Sequence, residues 1–175
     1  MKIFIAGSAC ENIPEKYIKE TEKLGEKLLN TEHEIYCCAS DVGLIGSIYN
    51  PFLKKAKDRV KCAIPKAHLH YFKSTEDIEL ITDTIGQRTD YMLQNCDMAI
   101  FLPGGIGTLY EILCSIETKR ADEHHCKLVI VNMFGYFDNL LDMLEKIFKE
   151  KFANENDRNM YHVVHNIDEL PFCKR

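Results

Sequence analysis

Short, continuous apolar runs separated by stretches of helical period are the feature that most narrows the choice of fold. Ile3-Phe4-Ile5-Ala6, Met98-Ala99-Ile100-Phe101-Leu102 and Leu128-Val129-Ile130-Val131 offer no polar residue at alternate positions, so each reads as a strand buried on both faces. Between such runs the period changes. Tyr17, Thr21, Leu24 and Leu28 are spaced at three and four, which predicts a helix over about Pro14–Asn30, and Phe137, Leu140, Leu141, Leu144, Ile147 and Phe148 predict another from Phe137 to Lys151. Strands that must be covered on both sides, each followed by a helix, make βαβ units. The expected architecture is α/β: a doubly wound, mostly parallel sheet of six to seven strands with helices on both faces.

The remaining elements follow the same pattern. Strands are expected at Lys2–Ala6, Glu34–Ala39, Val60–Ile64 (stopped by Pro65), Ile78–Ile81, Met98–Leu102, Leu128–Val131 and near Val163-Val164. Helical stretches are expected from beyond Gly46 to about Arg59, from about Thr84 to Asn95, from Thr108 to about Arg120, and as a turn at Ile167–Leu170. Lys66–Ser74, with His68, His70, Tyr71 and Phe72, has no clear period and reads as an irregular loop.

Composition bounds the function. The 175 residues, 46% hydrophobic and 28% charged, suit one globular domain over residues 1–175. Lys and Arg number 22 against 27 Asp and Glu, a net charge of −5 with no basic cluster, which argues against a nucleic-acid partner. No apolar run approaches the roughly 20 residues that span a bilayer, so no membrane partner is expected. The eight cysteines form no CxxC pair, and the first residues carry no basic segment followed by an apolar one; reduced thiols, no bound metal and a cytoplasmic location are the expectations.

In such a sheet, ligands bind beyond the carboxyl ends of the strands. Three turns there carry small residues: Gly7-Ser8, the segment Ser40–Gly46 with Gly43 and Gly46, and Pro103-Gly104-Gly105-Ile106-Gly107-Thr108. In the last, glycines let main-chain N–H groups approach a ligand, and Thr108 is placed to cap the next helix, whose N-terminus would favour a phosphate. The same residues also suit a plain tight turn. Glu111, three residues after Thr108, has the spacing of a capping box and equally that of a pocket carboxylate. Arg88, taken alone, reads as a surface charge. Tyr136-Phe137 is read as core, His124-His125 as a solvated loop, and Cys10 lacks a histidine constellation that would make it a nucleophile.

Residues 103–111, Pro-Gly-Gly-Ile-Gly-Thr-Leu-Tyr-Glu, match PGGxGTxxE, the signature of the Lonely Guy (LOG) family of nucleoside 5′-monophosphate phosphoribohydrolases. Arg88 lies at the spacing of that family's catalytic arginine. Asn132, Gly135, Tyr136 and Asp138 are similar to its NxxGYYD stretch, and Gly7-Ser8 and Val42–Gly46 to its GSS and VGLMG elements. The resemblance implies a Rossmann-like fold and hydrolysis of a cytokinin riboside 5′-monophosphate or AMP-like substrate to base and ribose 5-phosphate. It implies no metal or cofactor, and a homodimer sharing the active site. On that basis Arg88 and Glu111 are the catalytic candidates. Gly104, Gly105, Gly107, Thr108 and Ser8 are the phosphate-binding candidates, and Gly7, Gly43 and Gly46 are further substrate-binding ones.

The chain departs from the family at Cys38-Ala39-Ser40, which replaces a glycine triplet, at Gln87 and Thr89, which replace Glu and Lys around the arginine, and at Glu117-Thr118, which replaces a Thr-Trp pair. Alternative readings are a nucleoside deoxyribosyltransferase, a pyrimidine-nucleotide hydrolase, and a nucleotide-sensing domain without turnover.

Overall fold

The expected strands assemble side by side because their two apolar faces each demand a cover. The structure, a computed structural model, describes residues 1–71 and 78–173. In chain order the elements are β1 (Lys2–Ala6), α1 (Glu15–Leu29), β2 (Glu34–Cys37), α2 (Gly43–Lys55), β3 (Val60–Pro65), β4 (Ile78–Thr82), α3 (Ile85–Asn95), β5 (Met98–Phe101), α4 (Ile106–Arg120), β6 (Lys127–Val131), α5 (Asp138–Lys149) and β7 (Tyr161–Val164). The seven strands form one sheet in the order β4-β3-β2-β1-β5-β6-β7, and every neighbouring pair is parallel.

Alternation along each strand splits the core in two. Ile3 and Ile5 of β1 point to one side, where they meet Leu24 and Leu28 of α1 and Leu44, Ile48 and Phe52 of α2. Phe4 and Ala6 point to the other, with Met92 and Leu93 of α3, Ile112 of α4 and Phe137 ahead of α5. Leu24 and Leu28 expose no surface, and each such burial contributes about 1.5–3 kcal/mol.

Several boundaries differ from expectation. Pro65 is the last residue of β3, paired with Thr82, rather than a stop after it; a strand's final position tolerates the missing N–H donor. The segment Ser40–Gly46 is not all loop, because α2 starts at Gly43, where Leu44 and Ile45 N–H groups donate to Ser8 O. Helix α2 ends at Lys55, and Lys57–Arg59 continues as a 3₁₀ turn. Lys66–Tyr71 is a 3₁₀ helix rather than irregular, whereas Phe72 to Ser74 lie outside the described residues. At the C-terminal end the expected helical turn is a 3₁₀ turn at Ile167–Glu169.

The strand order reverses between β1 and β5: the chain runs outward through β2, β3 and β4, returns to β5, and leaves the other way through β6 and β7. The connections after β1 and β5 therefore diverge to opposite sides, opening a crevice at their carboxyl ends. Gly7-Ser8 and the glycine turn 103–107 both emerge there.

Candidate active site

Ser8 is the frame of the crevice. Its N–H donates to Pro103 O (3.0 Å), and its carbonyl accepts from Leu44 N–H (2.9 Å) and Ile45 N–H (3.3 Å), which ties the turns after β1 and β5 to the start of α2. Ser8 Oγ accepts from Cys10 N–H at 3.2 Å. Glycine is required where these backbones touch. A Cβ on Gly43, whose φ is +68°, would stand 2.6 Å from Ser8 O, and one on Gly46 would stand 2.5 Å from Asp41 O. Gly7 fits against Leu102. Gly43 and Gly46 thus hold the turns together, and α2 spends its first N–H groups on Ser8.

The turn after β5 is built differently. A Cβ on Gly104 would lie 2.1 Å from Thr108 Oγ1 and 3.0 Å from Ser8 N, so this glycine is demanded by packing inside the chain. At Gly105 and Gly107 a Cβ would meet nothing within 4 Å. Gly105, with φ −85° and ψ −156°, is the N-cap residue of α4, and neither sterics nor backbone geometry calls for glycine at it. Its openness faces outward. The first-turn N–H groups of a helix lack intrahelical partners and sit at the positive end of the helix dipole, which suits an anion.

Thr108 does not cap α4. The helix begins at Ile106, so Thr108 is its third residue, buried against Gly104, and Glu111 is no partner in a capping box. The carboxylate instead crosses to Arg88 of α3, whose Nη2 donates to Glu111 Oε1. Both side chains are buried, Arg88 at 8% and Glu111 at 7% exposure, so Arg88 is not a surface charge. Burial pushes the Glu111 carboxyl above the usual carboxylate range, and the adjacent guanidinium opposes that shift. Arg88 Nε is buried with no partner among the described residues.

Arg88 is positioned by a capping box that the sequence reading missed. Thr84 Oγ1 accepts from Gln87 N–H (3.1 Å), and Gln87 Oε1 accepts from Thr84 N–H (3.2 Å) and from Asp83 N–H (2.9 Å). Glutamine serves this role as glutamate would, so the departure at Gln87 leaves the start of α3 intact. Thr-x-x-Gln ahead of the helix was the signal. Cys38, beyond β2, lies in the field of the same pair: burial and Glu111 push its thiol up to about 11, with Arg88 opposing. His68 is held below its usual value by burial and by Arg88.

Tyr136 is half-exposed rather than core, and its hydroxyl donates to Gly104 O at 2.7 Å; only Phe137 is buried. His124 is not solvated. At 6% exposure, its Nε2 bonds Ser115 O (3.0 Å), and its Nδ1 accepts from Cys126 N–H (3.2 Å), while His125 is exposed. Cys10 is exposed, and each of the eight cysteines carries a free thiol. Among the described residues no cluster suited to a metal ion occurs, and no helix is long and apolar enough to cross a membrane.

A parallel, doubly wound sheet with a glycine turn and a buried Arg–Glu pair at its reversal point defines a Rossmann-like α/β protein. More narrowly, the chain belongs to the family described as "possible lysine decarboxylase", matched over residues 45–171. It is 29% identical over 150 residues to the probable cytokinin riboside 5′-monophosphate phosphoribohydrolase LOG4 of Oryza sativa subsp. japonica, covering 84% of this chain and 64% of that one. With the cytokinin riboside 5′-monophosphate phosphoribohydrolase LOG1 of Arabidopsis thaliana it shares 26% over 161 residues, 90% of this chain and 74% of that protein. The chain thus spans less than two thirds of the length of the first of those relatives and about three quarters of the second. Among solved structures, the molybdenum cofactor carrier protein of Chlamydomonas reinhardtii superposes with a TM-score of 0.61 at 15% identity, over 95% of this chain and 90% of that one; the likeness is one of fold. The resemblance to the LOG family read from residues 103–111 is therefore borne out at the level of family.

Proposed function

We propose that this protein is an N-glycosidase that hydrolyses a nucleoside 5′-monophosphate, a cytokinin riboside 5′-monophosphate or an AMP-like nucleotide, to free base and ribose 5-phosphate. The observation that carries the reading is the buried Arg88–Glu111 pair one helical turn beyond an N-terminus opened by Gly105 and Gly107. Residues four apart on a helix are neighbours, about 5–6 Å between Cβ positions, so a phosphate held at Gly107 places its ribose within reach of Glu111. The names of the relatives support the same substrate class.

In this mechanism the C1′–N bond breaks as positive charge develops on the ribose, water adds its hydroxyl to C1′, and the base leaves protonated. Glu111, ionised, stabilises that charge or takes the proton from the attacking water. Arg88 stays cationic and cannot be the acid; its Nη2 donates to Glu111 and orients that carboxylate, while its Nε–H stays buried without a partner among the described residues. The main-chain N–H groups of Gly105, Gly107 and Thr108 and the Ser8 hydroxyl bind the phosphate, with Gly104 shaping the turn. The exposed apolar stripe Ile106, Tyr110 and Leu113 on α4 is the face we assign to a second copy in a homodimer.

Incubation with a panel of nucleoside 5′-monophosphates and the matching unphosphorylated nucleosides, with base and ribose 5-phosphate measured, tests the reading. Release from monophosphates alone is expected. Transfer of the sugar to a second base would replace it with a transferase, and tight binding without product with a sensor.

A further inference from the structure

We propose that Tyr136 is a positioning residue of the phosphate site, its hydroxyl fixing the Gly104–Gly105 peptide so that the Gly105 N–H faces the ligand. The inference rests on reading the α4 N-terminus as a phosphate site, and it gives that site a part outside the turn itself. A tyrosine 45% exposed has water for its hydroxyl, yet this one donates to the Gly104 carbonyl at 2.7 Å.

The arm that delivers the hydroxyl is stiff. Tyr136 meets Phe137 edge to face at 5.0 Å and Tyr17 of α1 at 5.9 Å between ring centroids. Tyr17 in turn meets Phe134 at 5.3 Å. Phe134 (φ 54°) and Gly135 (φ 74°) turn the chain back toward the crevice. The Asn132 side chain closes the turn: Oδ1 accepts from Phe137 N–H and Nδ2 donates to Asp138 Oδ1, each at 2.7 Å.

The peptide it holds is flanked by two glycines, where rotation about the backbone is least restricted. In a trans peptide the C=O and N–H point in opposite directions. With the Gly104 oxygen turned to Tyr136, the Gly105 N–H points the opposite way, at the helix N-cap, where neither Gly105 nor Gly107 would place a Cβ within 4 Å of another atom. Were this peptide to flip, a carbonyl oxygen would face the phosphate and repel it. The bond to the carbonyl also polarises the N–H and strengthens it as a donor.

Tyr136→Phe keeps the ring and its contacts and removes only the hydroxyl. Binding of inorganic phosphate and ribose 5-phosphate is followed through the Gly105 amide resonance, alongside Tm and the kcat and KM for the best monophosphate. Expected are a Kd for phosphate and a KM raised about tenfold, the scale of one hydrogen bond, with kcat and Tm close to wild type. An unchanged phosphate Kd with an unmoved Gly105 amide overturns the proposal. So does a loss that falls on kcat and Tm together, which marks a merely structural tyrosine. Phosphate binding by a wild-type protein that releases no base leaves the latch standing while the hydrolase reading falls; a wild type that binds no phosphate at Gly105 removes both.

Discussion

Arg88 in the first turns of α3 and Glu111 in the second turn of α4 meet in a charge-assisted hydrogen bond inside the protein, each less than a tenth exposed. Taking both charges out of water costs several kcal/mol per ion, and their attraction offsets that only in good geometry. A hydrophobic pair of equal volume would serve the fold as well. An ion pair kept at the reversal point of the sheet, beside an open helix N-terminus, is better explained by chemistry than by stability.

Replacing the carboxylate separates binding from turnover. Glu111→Gln retains an acceptor for Arg88 and its volume but cannot ionise, so release of ribose 5-phosphate should fall at least about 10²-fold. Ribose 5-phosphate should still bind, because the N–H groups of the α4 N-terminus are untouched. Near-normal turnover in this variant would remove Glu111 from the mechanism.

The pH profile carries the sign of the Glu111 shift. Desolvation raises its pKa and Arg88 lowers it, with desolvation the larger. In the proposed mechanism the ionised form acts, so activity should fall on the acid side at a pH above the ordinary glutamic range. Arg88→Lys loosens the opposing charge, so the acid limb should move to higher pH, while Arg88→Ala should lower kcat/KM at least about 10²-fold. An acid limb that stays put in Arg88→Lys, measured over pH 4–9, would show that the limb belongs to another group.

The sheet was legible because continuous apolar runs leave few alternatives to a doubly covered strand, and α1 and α5 because their apolar residues repeat on one face. The site was legible only in part. Only the family resemblance couples Arg88 to Glu111; read as residues alone they lie 23 positions apart, and they meet because α3 and α4 pack on the same side of the sheet. Thr108 was misplaced because a glycine-rich turn does not reveal where the helix starts; with Gly105 as N-cap, Thr108 and Glu111 move into the buried face. Tyr136 and Phe137 look alike in sequence, and only the turn at Phe134 and Gly135 sends one outward and the other in. His124 sits among polar neighbours, so nothing local marks its burial between Ser115 and Cys126.

The glycines of the turn should respond in opposite ways. Gly104→Ala forces a Cβ to within 3.0 Å of Thr108 and Ser8, and such overpacking costs about 1–3 kcal/mol. Gly107→Ala adds a Cβ in open space within α4, where alanine is favoured over glycine by up to about 1 kcal/mol. Gly104→Ala should therefore lower Tm, whereas Gly107→Ala should keep or raise Tm and still raise KM for the monophosphate by crowding the phosphate. A Gly107→Ala variant with wild-type KM would place the phosphate elsewhere.

His124 should make the fold acid-sensitive well before the carboxylates titrate. Its ring is neutral in the fold, with Nε2–H donating to Ser115 O and Nδ1 accepting from Cys126 N–H, and protonation of Nδ1 would break the second bond. Burial lowers its pKa below 6.5, with the Ser115 contact opposing. The folded state then binds fewer protons than the unfolded one below about pH 6.5, so stability is complete above that value and declines as pH falls from it toward the lowered pKa. His124→Gln should cost about 1–3 kcal/mol at pH 8 by disturbing the Cys126 bond, roughly 2–10 °C in Tm for a chain of this size. The decline between pH 6.5 and 5 should become shallower in the variant. His33 and His68, also held below their usual values by burial, contribute in the same direction. Thermal melts of both proteins from pH 8 to 5 check this, and parallel curves would show that His124 does not titrate in that window.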